Sequence, residues 1–159
     1  MKITKILIAI DDNKFSENAS AYGFDLAQLA GAEVGLVHIV EPIVFPTGSS
    51  DALTATPFEG TAIADPELIR AQTASSENII EKTINKFAGD IKVTHFTEYG
   101  STSDGILSCS KEFGADLIVL GTHSRSGFER LLMGSTAEHV VRHSEVPVLV
   151  VPLREAEAS

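Results

Sequence analysis

Four short apolar runs set the strongest limit on what this chain can fold into. They are KILIAI (5–10), EVGLVHIV (33–40), DLIVL (116–120) and VPVLVV (146–151), and each is rich in β-branched residues. Runs that are this short and nearly continuous are typical of strands buried on both faces of a parallel sheet. In a fifth segment, IKVTHFTEY (91–99), apolar and polar residues alternate instead of forming a continuous apolar run, so we expect that strand nearer an edge of the sheet.

Segments with helical spacing separate these runs. Ser16 is the predicted N-cap of the first helix and Gly31 its C-terminal glycine. Asp65 is the predicted N-cap of the second helix, and Ser135 and Glu138 have the spacing of a capping box at the start of the fourth. Strands that alternate with helices in this way imply right-handed crossovers. The sequence therefore predicts an α/β fold with a parallel sheet and helices on both faces.

The length of 159 residues fits one domain with one core, which we place at residues 1–152. The segment 41–64 is rich in Pro, Gly, Ser and Thr and has no sustained period. A loop this long in a compact domain is usually functional or mobile, so we expect a mobile loop there. Residues 153–159 are expected to form a polar tail.

Charge and cysteine content narrow the class of protein. A formal net charge of −10 argues against a surface for nucleic acid or anionic lipid, since both attract clustered cations. The single Cys109 fits a reducing cytoplasm, and we assign it no chemistry. No apolar run approaches the roughly 18 residues that span a bilayer, so we expect a cytoplasmic protein without membrane insertion.

The fold class indicates where a ligand would bind. In open parallel α/β sheets, ligands bind outside the carboxyl ends of the strands, where the strand order reverses. Two common nucleotide fingerprints, G-x-G-x-x-G and G-x-x-x-x-G-K-[ST], do not occur. The residues that follow the predicted strands are Asp11, Asp12, Val40, Glu41, Gly100, Ser101 and the stretch GTHSRSGFERLLMGST from Gly121.

The segment 134–136 offers a helix N-terminus, whose free N–H groups and positive dipole end favour an anion. N–H groups around Ser124 and Arg125 would meet the same phosphate if the loop folds back over that helix. The alternative is that the serine of this segment and Glu138 only cap the helix. For Asp11 there are likewise two interpretations, a carboxylate that accepts ribose hydroxyls and a residue of a turn. Local sequence decides neither the role of the helix start nor that of Asp11.

No catalytic constellation stands out, and we assign no catalytic residue. The five histidines are scattered, and the pair His139 and His143 lacks the H-E-x-x-H pattern of a zinc site. That pair is interpreted as part of a solvated helix face. Cys109 has no obvious base, and no G-x-S-x-G motif is present.

Three blocks of sequence together resemble the universal stress protein family over essentially the whole chain. They are ILIAIDDNKFSENA, VGLVHIVEP and ADLIVLGTHSRSGFERLLMGSTAEHVVRHSEVPVLVVP. The resemblance implies an open five-stranded sheet of order 3-2-1-4-5, Rossmann-like and similar to the adenine nucleotide alpha hydrolase arrangement. It also implies a homodimer formed by antiparallel pairing of the last strand, residues 146–151.

Members of this family that bind ATP carry a glycine, two residues, a second glycine, nine residues, and then glycine followed by Ser or Thr. Gly121 and the pair Gly134-Ser135 fit that pattern, and Ser124 replaces the second glycine. Serine keeps the backbone N–H and adds a hydroxyl donor. The resemblance therefore implies ATP binding, with Mg²⁺ or Mn²⁺ possible beside the nucleotide and no dedicated carboxylate cage.

The implied role is a homodimeric regulator that reports stress or energy state to an unidentified protein partner with little or no catalysis. Two alternatives remain, a slow ATPase or self-phosphorylating enzyme and a nucleotide-free interaction dimer. In ATP-binding relatives the residue matching Asp11 would hold ribose, and backbone at Ile10 and Val40 would contact adenine. The implied nucleotide-binding residues are Ala9, Ile10, Asp11, Val40, Gly121, Thr122, His123, Ser124, Arg125, Ser126, Gly127, Gly134, Ser135 and Thr136.

Overall fold

The computed structural model describes residues 1–42, 65–124 and 133–154. From residue 43 onward, the expected loop 41–64 lies outside the described residues, as do residues 155–159 of the expected tail. Along the described chain the elements are β1 (Lys5–Ala9), α1 (Lys14–Ala30), β2 (Glu33–Val40), α2 (Pro66–Phe87), β3 (Val93–Tyr99), α3 (Thr102–Phe113), β4 (Leu117–Ser124), α4 (Ser135–His143) and β5 (Val148–Arg154).

The strands form one parallel sheet in the order β3-β2-β1-β4-β5, which confirms the predicted fold class and strand order. All five residues of β1 pair with β2. Only the three residues Ile6–Ile8 pair with β4, opposite Leu117–Val119. Beyond these residues the two central strands are no longer paired with each other. The strand order reverses between them, and at the carboxyl edge of such a switch point open α/β sheets form the crevice in which ligands bind.

Two apolar layers cover the sheet because successive strand residues point to opposite faces. Ile8 and Leu36 pack with α1 and α2, while Leu7 and Val37 pack with α3 and α4. In α3, Ile106, Cys109, Ser110 and Phe113 have helical spacing on one face, and all four are buried. Each face therefore carries two helices, and the central strands lie in the core on both sides.

The edges of the sheet are β3 and β5. Most residues of β3 are half-buried or exposed, which confirms the expectation of an edge strand. The prediction that the connection to α4 begins at Gly121 was wrong. Strand β4 continues to Ser124, because Gly121 pairs with Val151 and the ladder with β5 runs on to Arg154.

The predicted N-cap of α1 was also wrong. Asn13 is the N-cap, and its side chain accepts from the N–H groups of Phe15 at 3.1 Å and Ser16 at 2.9 Å. Asparagine is at least as good a cap as serine, and Asn13 has the extended backbone that a cap needs. Ser16 Oγ instead accepts from the N–H of Asp11 at 2.7 Å. The glycine at the other end, Gly31, has the expected left-handed conformation.

At α4 the capping box predicted for Ser135 and Glu138 does not form. Gly134 is the N-cap, with φ 62° and ψ 150°, and the helix begins at Ser135, one residue earlier than a Ser135 cap requires. No side-chain bond to this helix start is formed within the described ranges. The predicted cap of α2 is confirmed, since Asp65 accepts from the N–H of Glu67 at 2.9 Å.

One carboxylate joins the two central strands at their amino ends. Asp116 Oδ2 accepts from the N–H and hydroxyl of Thr4, both at 2.8 Å, and from the N–H of Lys5 at 3.0 Å. The backbone hydrogen bond from Thr4, the bond from the Thr4 hydroxyl and the bond from the Lys5 N–H lower the pKa of Asp116. This contact holds β1 and β4 together at the edge opposite the crevice.

Cys109 lies on the buried face of α3, and burial raises the pKa of its thiol to about 12. The thiol therefore stays protonated at neutral pH. Among the helices that the structure describes, none is long and apolar enough to span a bilayer.

Candidate functional site

The candidate site is the crevice where β1 and β4 separate. The first turn of α1 approaches β4 closely at this point. A Cβ placed on Gly121 would lie 2.4 Å from the backbone oxygen of Phe15, well inside van der Waals contact. Because α1 begins only three residues after Asp11, this approach places the end of β1 near Gly121. The structure thus gives Gly121 a packing role that the glycine pattern alone did not indicate.

The Asp11 carboxylate is oriented by its neighbours and faces solvent. Its Oδ1 accepts from the N–H of Asp12 at 2.8 Å, and its Oδ2 accepts from Asn13 Nδ2 at 3.1 Å. The side chain is 68% exposed. The imidazole of His38, the largest cause, and the Asp12 N–H lower the pKa of Asp11, against the opposing effect of partial burial. An ionised, oriented and exposed carboxylate of this kind is a good acceptor for sugar hydroxyls.

Behind Asp11 lies a chain of polar side chains that sequence reasoning missed. His38 Nε2 is 3.7 Å from Asp11 Oδ1, an ion-pair distance rather than a direct hydrogen bond. On its other side, His38 Nδ1 is 2.8 Å from Ser76 Oγ, which is 3.0 Å from Thr97 Oγ1. A histidine inside an apolar strand must find partners when it is buried. That rule was the available signal, although it does not name the partners.

The two residues expected to meet adenine offer mainly backbone. The side chains of Ile10 and Val40 are buried in the core. The Ile10 N–H donates to the carbonyl of Val37 at 2.9 Å, and the Val40 carbonyl accepts from the Gly100 N–H at 3.1 Å. A carbonyl oxygen has two lone pairs, so Val40 keeps an acceptor position for a ligand. Ala9, the last residue of β1, is half-buried beside them.

The start of α4 lies against the carboxyl end of β4. A Cβ placed on Gly134 would be 3.9 Å from Thr122 Oγ1, so these two residues are neighbours across the site. The start of α3 differs, because Glu41 accepts from the Thr102 hydroxyl there at 2.5 Å. A carboxylate at that helix start disfavours a second anion. Of the two, the start of α4 is therefore the better place for a phosphate.

The remaining predicted residues are distributed as follows. Ser135 is exposed and Thr136 half-buried in the first turn of α4. The backbones of His123 and Ser124 form the last two residues of β4. Within the described part of the chain, no three metal-ligating side chains converge. Three predicted residues, Arg125, Ser126 and Gly127, lie outside the described residues.

Fold and site together define an open parallel α/β protein with polar groups gathered at its switch point, where such folds bind ligands. The chain belongs to the universal stress protein family, which it matches over residues 2–152. It is 31% identical over 149 residues to the universal stress protein MJ0531 of Methanocaldococcus jannaschii, covering 92% of this chain and 81% of that protein. Identity to the universal stress protein YxiE of Bacillus subtilis is 29%, covering 92% and 97% of the two chains.

Solved structures of the family share the fold. The protein MJ0577 of Methanocaldococcus jannaschii superimposes with a TM-score of 0.73 at 24% identity, covering 98% of this chain and 100% of that one. A universal stress protein of Archaeoglobus fulgidus, solved in complex with dAMP, has a TM-score of 0.54 at 18% identity, with 95% and 99% covered. Another was solved in complex with cAMP and has a TM-score of 0.57 at 16% identity, with 95% and 98% covered.

Proposed function

We propose that this chain binds ATP in the crevice between β1 and β4. The observation that carries the proposal is the placement of two complementary groups at one sheet edge. The Asp11 carboxylate is exposed and oriented at the end of β1. The α4 start, with its glycine N-cap, lies beside Thr122 at the end of β4. The first group suits the hydroxyls of a ribose, and the second suits a phosphate.

The proposed contacts follow from these positions. Backbone at Ile10 and Val40 meets the adenine, since the side chains of both residues are buried. Phosphates lie between the end of β4 and the segment 134–136, where the helix dipole and the Thr122 hydroxyl favour negative charge. A Mg²⁺ or Mn²⁺ ion accompanies the triphosphate and offsets part of its charge. These contacts leave the ion bound mainly through the nucleotide.

Relatives support the nucleotide class. The two structurally similar universal stress proteins solved with cAMP and dAMP both hold an adenine nucleotide. Their identity to this chain is low, at 16% and 18%, so they support the kind of ligand rather than individual contacts. The glycine pattern at Gly121 and Gly134 is the reason to prefer ATP within that class.

As a biological role, we propose a homodimeric regulator whose nucleotide occupancy alters its binding to a protein partner under stress. The dimer forms through β5, an edge strand of the sheet, because pairing with a second copy would satisfy the unpaired backbone groups of that edge. Catalysis is slow or absent in this proposal, since no general base has been assigned at the site.

Isothermal titration with ATP and Mg²⁺ tests the proposal. We expect binding by the unmodified chain and roughly tenfold weaker binding by Asp11→Ala, the loss of one or two hydrogen bonds to a charged acceptor. Asp12→Ala is the matched control, because it removes the same charge from an exposed neighbour whose N–H is kept. No heat up to millimolar nucleotide would sink the proposal and favour the nucleotide-free interaction dimer.

An enzyme is the second candidate, because the exposed Ser135 and the half-buried Thr136 place hydroxyls where the phosphates would lie. Self-phosphorylation or slow hydrolysis would transfer the γ-phosphate to one of these hydroxyls or to water. Incubation with γ-labelled ATP distinguishes the two candidates. Label or released phosphate above the level of a Gly134→Val variant would support the enzyme, and none would eliminate it.

A further inference from the structure

The polar chain behind Asp11 connects the crevice to a helix that does not line it. His38 is 8% exposed and Ser76 is 0% exposed, so both side chains lie inside the protein. Ser76 belongs to α2, which also packs on the core through Ile79 and Ile80. A second hydroxyl contact from this helix, Thr73 Oγ1 to Tyr99 Oη at 2.5 Å, joins it to β3 nearby. This polar chain, which we call the relay, therefore connects Ser76 on α2 through His38 on β2 to Asp11 at the end of β1.

The hydrogen-bond partners determine which nitrogen of His38 carries the proton. A neutral imidazole has one N–H and one lone pair. If Nε2 carried the lone pair, that lone pair would face the ionised Asp11 carboxylate at 3.7 Å, which is repulsive. We therefore assign the proton to Nε2 and the acceptor role to Nδ1, which receives the Ser76 hydroxyl at 2.8 Å. Thr97 then donates to Ser76 at 3.0 Å, so both hydroxyls and Nδ1 are hydrogen-bonded, while the Nε2–H faces the Asp11 carboxylate at 3.7 Å.

We propose that His38 is a positioning residue for ribose recognition, holding the Asp11 carboxylate toward the sugar hydroxyls, and that Ser76 makes this orientation depend on the docking of α2. The inference rests on the proposed nucleotide function. It adds that His38 and Ser76 determine the preference of the site for a nucleotide whose ribose has free hydroxyls. Ser76 acts at a distance, because it fixes the tautomer and the ring angle of His38.

His38 gives the carboxylate a contact that its other two partners do not supply, because it lies in the protein interior. Asp12 and Asn13 hold it only from the exposed side, through one backbone and one side-chain donor. Only His38 approaches from the protein interior among the contacts of Asp11 that the structure describes. Without the Nε2–H facing it, the carboxylate loses the group that favours its ionised form most. Its hydrogen bonds to ribose then weaken, whereas those of the phosphates do not.

The test compares ATP with 2′,3′-dideoxy-ATP, which lacks both hydroxyls and keeps the base and phosphates. For the unmodified chain we expect ATP to bind about tenfold tighter than the dideoxy nucleotide, as expected for hydrogen bonds to a charged acceptor. Asp11→Ala should bring this ratio to about one. His38→Gln and Ser76→Ala should each lower the ratio by about threefold or more while leaving the dideoxy affinity unchanged.

A matched control is available in Ser20→Ala. Ser20 is as buried as Ser76, at 1% exposed, and its hydroxyl donates to the Ser16 carbonyl at 2.9 Å, outside the relay. Ser20→Ala should keep the ratio of ATP affinity to dideoxy-ATP affinity of the unmodified chain. If His38→Gln fails to fold, Ser76→Ala, which deletes one hydroxyl, carries the test alone.

The possible failures separate cleanly. No binding of either nucleotide by the unmodified chain rejects the proposed function itself. Equal binding of the two nucleotides by that chain leaves the nucleotide site standing and overturns ribose recognition by Asp11. If Ser76→Ala keeps the unmodified ratio of ATP affinity to dideoxy-ATP affinity, Ser76 has no effect on ribose recognition and the positioning role is overturned. If Ser76→Ala weakens the binding of both nucleotides equally, its effect is merely structural and the positioning role is overturned as well.

Discussion

The backbone oxygen of Phe15 lies so close to Gly121 that a Cβ on the glycine would come within 2.4 Å of it. The first turn of α1 is thereby seated directly on β4. We predict that Gly121→Ala lowers the free energy of unfolding by about 1–3 kcal/mol, the usual cost of overpacking a rigid contact. Urea denaturation followed by circular dichroism measures this loss.

The control for that variant is Gly31→Ala. Gly31 has φ +66° but open space around its Cα, so alanine there carries a backbone cost of only about 1 kcal/mol. Gly121→Ala should also weaken ATP binding, whereas Gly31→Ala should not. A Gly121→Ala protein as stable as the unmodified chain would show that α1 moves aside freely.

A second prediction concerns the N-cap of α4. Gly134 has φ 62° and ψ 150°, a region that residues with a Cβ rarely enter. Gly134→Ala should cost about 1–3 kcal/mol of stability and weaken ATP binding by about tenfold, because the helix start must shift. Calorimetric titration and urea denaturation give the two quantities.

Gly89→Ala is the matched control for Gly134→Ala, since Gly89 also has a positive φ, of 51°, and open space around it. It follows α2, at the opposite edge of the sheet from the crevice. It should lose stability by a similar amount and keep its affinity for ATP. Equal loss of affinity in both variants would show that α4 affects binding only through global stability.

A third prediction is the acid dependence of the contact at Asp116. Its folded pKa lies below the unfolded value of about 3.9, so its contribution is complete above that value and is lost as the pH falls through the folded pKa. Asp116→Asn should therefore have a lower urea midpoint at about pH 7, and the difference should shrink as the pH falls through the folded pKa of Asp116. A constant difference across this range would mean that the charge contributes nothing.

A fourth prediction tests the dimer through β5. The chain has a mass of 16.9 kDa, so we expect a species of about 34 kDa in sedimentation velocity. Val150→Lys should shift the equilibrium toward monomer, because a charge on an edge strand opposes pairing. Val150 also packs on the core, so circular dichroism must first show that this variant is folded. Val141→Lys is the control, since Val141 is an exposed valine, at 42%, on α4. Dissociation by both variants alike, or by neither, would contradict pairing through β5.

The strands and most helices were predictable because their signals are local. A run such as residues 33–40 can be satisfied only by burial on both faces, and the structure buries it that way. The strand order was predicted from the resemblance, since local periodicity does not contain it. Helix starts were less certain because neighbouring residues compete. Asn13 and Ser16 are both good caps, and the extended backbone at Asn13 decided between them.

The parts of the site that escaped prediction depend on distant residues meeting in space. His38 stood in an apolar run, and Ser76 lies 38 residues further along the chain. No local sequence pattern connects these two residues, which meet only because α2 packs on β2. The same holds for Gly121, whose need for a glycine comes from the position of Phe15. Asp11 and Gly134 were predictable because topology alone places strand ends and helix starts at one edge.

The hydrogen bonds of Asp116 also bear on how the crevice can move. They fix the amino ends of β1 and β4, while the ladder between these strands stops at Ile8 and Val119. The two strands are thus joined to each other at their amino ends, whereas at their carboxyl ends each is bonded only to its outer neighbour, β2 or β5. We expect nucleotide binding to slow hydrogen exchange near these carboxyl ends and to leave the amides of Thr4 and Lys5 unchanged, because the bound nucleotide would join two strands that do not contact each other there.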